Sequence, residues 1–236
     1  MNDTLVIDEL RFDLRRSAKR KTMGITVDRD GFLILHAPMD VPQPAIEQYA
    51  REKRLWIYSK LAEKEVLAWP IRMKEFVSGE GFYYLGRNYR LLLVDTSEGS
   101  TTPTPLQLHH GRFLLRRDEQ EHGRKHFIAW YTGHARPWLH HRVALLTDRI
   151  GSAPTSVRVR DLSFRWASCG QDRSLNFHWR TILLPPRIIE YLVAHELLHL
   201  HEPNHSSKFW QRLERAMPDY QSRRQWLDRE GGRFYL

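Results

Sequence analysis

Tyr191-Leu192-Val193-Ala194-His195-Glu196-Leu197-Leu198-His199-Leu200, continued by His201-Glu202-Pro203-Asn204-His205, is the stretch from which the rest of the chain can be read. Ile188, Ile189, Leu192, Val193, Leu197 and Leu198 recur at helical spacing. Pro185-Pro186 stands where a helix start tolerates proline, because the first amides of a helix lack intrahelical partners. On such a helix His195 and His199 lie one turn apart on one face, so both imidazoles can reach a single ion. Glu196 is rotated from His195 by roughly 100°, close enough to hold a water on that ion. Pro203 should stop the helix, since the residue before a proline is pushed out of the α region. The chain must then turn, which lets His205 swing back as a third ligand.

Two neighbours compete for that third position. His201, two residues beyond His199, points to the other side of the helix. Glu202 falls on the ligand stripe but continues in line with it, whereas a tetrahedral site takes its third ligand from another direction. His205 is therefore expected to complete the set. The alternative is a histidine-rich amphipathic helix with no metal.

Around this stretch lie 236 residues, 41% of them hydrophobic, enough for one substantial core or two small ones. The single Cys169 excludes an internal disulfide and fits a reducing compartment. No apolar run approaches the ~18 residues of a membrane span. The start, Met1-Asn2-Asp3-Thr4, is acidic and carries no signal-peptide segment, so a soluble cytoplasmic protein is expected. A net charge of +9 favours acidic partners or polyanions without specifying any chemistry.

The expected fold class is α+β, with a β-rich N-terminal region over residues 1–118 and a metal-binding region over 119–236. Residues 5–37 read as strands, with a turn at Asp30-Gly31. The basic cluster Arg15, Arg16, Lys19, Arg20 and Lys21 reads either as a solvated strand edge or as a phosphate-binding strip. Residues 44–68 look helical, with Trp56 packed on their apolar stripe and Pro70 closing them. Strands return at 82–94 around a Gly86-Arg87-Asn88 loop, and another hairpin surrounds Gly111. Between them, Thr96 to Pro105 is a loop. From about 121 a long helix runs to Leu146, with a kink expected at Pro137. His134, His140 and His141 on it read as solvated. Val157 and Val159 begin a strand, Leu175 to Leu184 forms another leading into the motif helix, and Ser206 or Ser207 can cap a helix carrying Phe209, Trp210, Leu213 and Met217. A last short helix runs from near Tyr220 to Leu227.

Taken together, Arg165-Trp166-Ala167-Ser168-Cys169, Leu175-Asn176-Phe177-His178-Trp179-Arg180, the Leu184-Pro185-Pro186 entry and His205-Ser206-Ser207-Lys208-Phe209-Trp210 resemble the YgjP-like family. That family is a zincin-type metallopeptidase domain related in pattern to the SprT and WLM groups. The resemblance implies a β-rich N-terminal region and a zincin-like C-terminal domain with His195, His199 and His205 as ligands and Glu196 as general base. One position departs from it: the family usually has glycine where this chain has Ala167. Either that turn never required glycine or its geometry is altered here.

The chemistry that follows is that of a zinc-dependent hydrolase, a metallopeptidase first of all. Three neutral imidazoles leave Zn²⁺ an open position for water, whose proton Glu196 would take. In zincins the strand before the motif helix commonly borders the cleft, so the resemblance makes Asn176, His178 and Arg180 candidate substrate contacts. A peptide or protein substrate is expected, and a nucleotide or other polyanion is the rival. Two other classes stand beside the peptidase: a metal-dependent hydrolase of nucleotides or phosphate esters, and a nucleic-acid-binding module with a structural metal. Ligation by a fourth protein side chain would favour the last. Cys169 has no base paired with it by spacing and reads as a small buried side chain.

Overall fold

The computed structural model describes residues 3–27, 32–67, 73–95, 104–162 and 165–236. The turn expected at Asp30-Gly31, the helix stop at Pro70 and most of the Thr96–Pro105 loop lie outside them. The fold is α+β, and the chain forms two compact units, Met1–Pro70 and Ile71–Leu236.

In the first unit, β1 (Asp3–Ile7), β2 (Leu10–Ser17), β3 (Gly24–Val27) and β4 (Leu33–Pro38) make a sheet of order β1-β2-β4-β3. β2 and β4 run parallel at its centre, and each outer strand is antiparallel to its neighbour. Phe12, Leu14, Leu33 and Leu35 bury against Ile46, Ala50 and Ile57 of α1 (Gln43–Glu52) and α2 (Arg54–Leu67). The single helix expected over 44–68 is thus two, parted at Lys53. Trp56 is 43% exposed rather than packed on the stripe. Nor do Arg15 and Arg16 mark a sheet edge, since β2 is an inner strand. Arg15 pairs with Asp13 at 2.7 Å, and Arg16 donates to the Val41 carbonyl at 2.6 Å.

The second unit repeats that strand plan. β5 (Gly81–Tyr84), β6 (Arg87–Val94), β7 (Leu106–His109) and β8 (Arg112–Arg116) form a sheet of order β5-β6-β8-β7, again with a parallel central pair. This sheet shares one core with α3 (Gly123–Ile150), which runs unbroken through Pro137. Phe82 and Phe127 stack at 4.1 Å, and Phe113 meets the Phe127 and Trp130 rings edge-on at 4.9 Å each. That shared core is why the compact units part at 70/71, whereas the sequence changes character near 118. His134, His140 and His141 are exposed on α3.

A three-stranded sheet of order β10-β11-β9 follows, from β9 (Val157–Arg160), β10 (Ala167–Cys169) and β11 (Leu175–His178). β11 is parallel to β9 and antiparallel to β10, which is an edge strand. The segment expected to continue as strand to Leu184 instead tightens into a 3-10 turn over Trp179–Leu183, which delivers the chain to α4 (Pro186–Leu198). The β5–β6 hairpin tip docks there. Leu85 and Gly86, not the three residues expected, form the turn, and their amides donate to the carbonyls of Ile182 and Leu183 at 2.9 Å each. Gly86 has φ +78°, and a Cβ on it would stand 2.9 Å from the Pro185 Cα, so only glycine fits both the turn and the approach. α4 packs on α3, on β10, and on α5 (Ser207–Ala216) and α6 (Tyr220–Glu230). Among the described residues no helix is long and apolar enough to cross a membrane.

Candidate metal centre

α4 is buried on most of its circumference, and only its last turns open towards the site. His195 and His199 project one turn apart, as the spacing requires. The helix ends at Leu198, ahead of Pro203, through tighter bonds such as His201 N–H to the Leu198 carbonyl at 3.0 Å. The chain then reverses and enters α5, where the Ser206 hydroxyl accepts from the Phe209 amide at 3.3 Å. This cap fixes the return of the loop that carries His205. Replacing Ser206 by Ala is expected to cost about 1 kcal/mol, a fall in Tm of roughly 2–4 °C for a unit of this size. A differential scan of the metal-free protein measures it, and no change would mean that the loop is held elsewhere.

The reversal brings His205 Nε2 to 2.9 Å from His195 Nε2, which is itself 3.2 Å from His199 Nε2. Nitrogens set tetrahedrally about 2.0–2.1 Å from one ion stand about 3.4 Å apart, so the spacing fits a small divalent cation with a modest relaxation outward. His199 Nδ1 donates to the Glu202 carbonyl at 3.0 Å, which leaves its Nε2 lone pair facing the others. Burial, with His199 and His205 adding to it, pushes the His195 pKa down to about 3, and burial likewise lowers His205. Both shifts favour the neutral ring, the form in which imidazole ligates. Beneath them, Phe209 is fully buried with its ring 5.0, 4.8 and 4.8 Å from those of His195, His199 and His205. It forms an apolar floor that sequence spacing had placed on α5 without revealing its use.

The two rivals for the third position lie elsewhere. His201 is exposed and outside the cluster. The Glu202 carboxylate faces Lys208 Nζ at 3.2 Å and Arg212 Nε at 3.6 Å. Glu202→Ala should therefore leave metal stoichiometry unchanged and cost at most about 1 kcal/mol of stability. Loss of metal from this variant, read by elemental analysis, would reassign the third ligand.

Glu196 follows His195 on α4 and is only 6% exposed. Burial pushes its pKa up to about 7, while the Cys169 backbone N–H and the Arg165 charge hold it down. The register of β10 explains that amide. His178 N–H donates to the Trp166 carbonyl and Gly170 N–H to the Ser174 carbonyl, both at 2.8 Å. By strand alternation the backbone groups of Ala167 and Cys169 must then face away from β11. The Cys169 N–H thus reaches Glu196. Among the described residues the Ala167 backbone groups and the Cys169 carbonyl have no partner. Ala167 lies in extended strand without positive φ, so this position does not need glycine.

The three residues expected to contact substrate are placed otherwise. All of β11 is buried, so the alternation that was to aim Asn176 and His178 at a cleft does not operate. Asn176, 2% exposed, donates to the Ser174 hydroxyl at 3.3 Å. His178, 3% exposed, accepts from the Arg180 amide at 3.0 Å and lies 3.3 Å from Asp161. Arg180 belongs to the 3-10 turn and holds the Phe234 carbonyl at 3.1–3.2 Å. These side chains are engaged in holding the fold. Cys169 is half-buried, its thiol pushed up by burial.

The family model described as YgjP-like, metallopeptidase domain, matches residues 21–230. Among solved structures, the metallopeptidase zymogen of Pyrococcus abyssi abylysin is similar at 23% identity with a TM-score of 0.34. The match covers 36% of this chain and 87% of that one. No curated protein matches.

Proposed function

The chain belongs to the YgjP-like metallopeptidase-domain family, and with it to the metal-dependent hydrolases; from that premise we propose that it is a zinc-dependent peptidase. His195, His199 and His205 would hold the ion, and Glu196 would act as general base. The observation that carries the proposal is the convergence of three imidazole nitrogens within 4.8 Å of one another, on a helix whose Glu196 carboxylate is buried. Among the described residues no fourth histidine, cysteine or carboxylate joins them, which supports an open, catalytic coordination over a closed, structural one. A divalent cation bound there would supply Lewis acidity, polarising a carbonyl and making a water more acidic.

The chain's own residues would do the rest. Glu196, with a pKa near neutrality, takes the proton of the attacking water and returns it to the leaving amine. The Cys169 amide, fixed by the β10 register, orients the carboxylate. The open edge of β10 gives an extended peptide backbone donors and acceptors next to the site, which favours peptides over phosphate esters. The test is to load the protein with zinc and screen it against peptide and nucleotide libraries. Peptide cleavage that is abolished by a chelator and restored by zinc is expected. Cleavage of nucleotides alone would select the phosphate-ester alternative, and a chain that takes up no metal would end the proposal.

A further inference from the structure

Beyond the triad, a cation on α6 is aimed at the site. Arg224 lies on α6, which Arg223 pins to α4 by donating to the Arg187 carbonyl at 2.8 Å and facing Glu190 at 3.6 Å. The Arg224 guanidinium stands 5.0 Å from the Trp210 ring centre. Trp210 in turn stacks on His205 at 5.4 Å and 20°, and on Tyr220 at 5.7 Å and 20°. This aromatic stack carries the positive charge to the rim of the histidine cluster and restricts where it can go.

It is also poorly neutralised. Among the described residues the acid paired with it is Asp228, 4.0 Å away with both side chains exposed. A cation in that place works against binding a metal cation, so metal binding does not explain it. Resting on the peptidase reading, we propose that Arg224 is a specificity-determining residue that binds a carboxylate of the substrate close to the scissile bond. A guanidinium laid over a ring keeps its N–H edges available for bidentate contact with a carboxylate, which a lysine could not offer. Tyr191, on the same face of α4 one turn before His195, adds a hydroxyl that has no hydrogen-bond partner among the described residues. The carboxylate can belong to a free C-terminus or to an acidic side chain.

The test uses the full chain loaded with cobalt in place of zinc, whose absorption spectrum reports binding without turnover. Three malonyl hydroxamates are titrated: one extended by alanine with a free carboxylate, one by aspartate α-amide, and one by the neutral alanine amide. At least one charged probe should bind about tenfold tighter than the neutral one. Arg224→Ala should remove that preference and Arg224→Glu reverse it, with one cobalt still bound per chain. Arg229→Ala, an exposed charge loss on the same helix, should keep the preference. The probe that gains identifies the source of the carboxylate. Equal binding of all three probes, or a preference that survives in Arg224→Glu, overturns the proposal while leaving the metal centre standing. A wild-type chain that shows no cobalt spectrum overturns the metal centre itself, and the inference with it.

Discussion

Replacing His195, His199 or His205 by alanine is expected to weaken zinc binding by about 10²–10³-fold in each case. Apparent zinc-binding free energies of roughly 10–16 kcal/mol, spread over about four ligands, assign some 3 kcal/mol to each. The three variants should nevertheless differ in the metal-free state. His205 is exposed, with its ring set against Phe209 and Trp210 at the surface, so its removal should leave stability nearly untouched. His195 lies over Phe209 with a buried Nδ1 that has no partner among the described residues, so His195→Ala removes packing and an unsatisfied polar atom together. Those two effects oppose each other, and a small net change is expected. Thermal shifts with and without zinc separate the effects. Wild type should gain about 2.7 kcal/mol at a hundredfold excess of zinc over its Kd, a gain each variant loses. His201→Ala should keep the full gain. A His205→Ala chain that still responded to zinc as wild type does would exclude His205 from the set.

Much of this arrangement was legible because a helix imposes its own geometry. Spacing alone aligns His195 with His199, and a turn before His205 is forced once the helix stops. The stop itself came earlier than Pro203 suggested, since the last carbonyls were already satisfied by 3-10 bonds. What local pattern could not supply is whatever depends on distant neighbours. β11 has no polar face because all four of its residues are buried, so alternation gave no guide to Asn176 and His178. The use of Ala167 where the family has glycine became clear only when its partner strand fixed it as extended. Leu85 takes φ 48°, unusual for leucine, because the Ile182 carbonyl holds its amide from nearly a hundred residues away. Arg224 carries no signal in its own neighbourhood, since only the stack through Trp210 brings it to His205.

Glu196→Gln should separate catalysis from everything else the site does. Glutamine has the size and shape of glutamate, and its side-chain oxygen can still accept from the Cys169 amide. Metal content should remain at wild type, since Glu196 is not among the converging nitrogens. Stability should hold or rise, because a neutral amide is less costly to bury than a carboxylate at a site 6% exposed. The amide cannot take a proton, however, so the attacking water loses its base and the leaving amine its donor. The expected cost is about 10²–10⁴ in kcat/KM on whichever peptide the library screen identifies. The three readouts therefore move in different directions: metal unchanged, denaturation midpoint equal or higher, rate collapsed. A variant that lost activity because it misfolded would lower all three. A metal-replete Glu196→Gln chain that cleaved peptide at the wild-type rate would show that the proton goes elsewhere, and the role assigned to Glu196 would fall even with the histidine cluster intact.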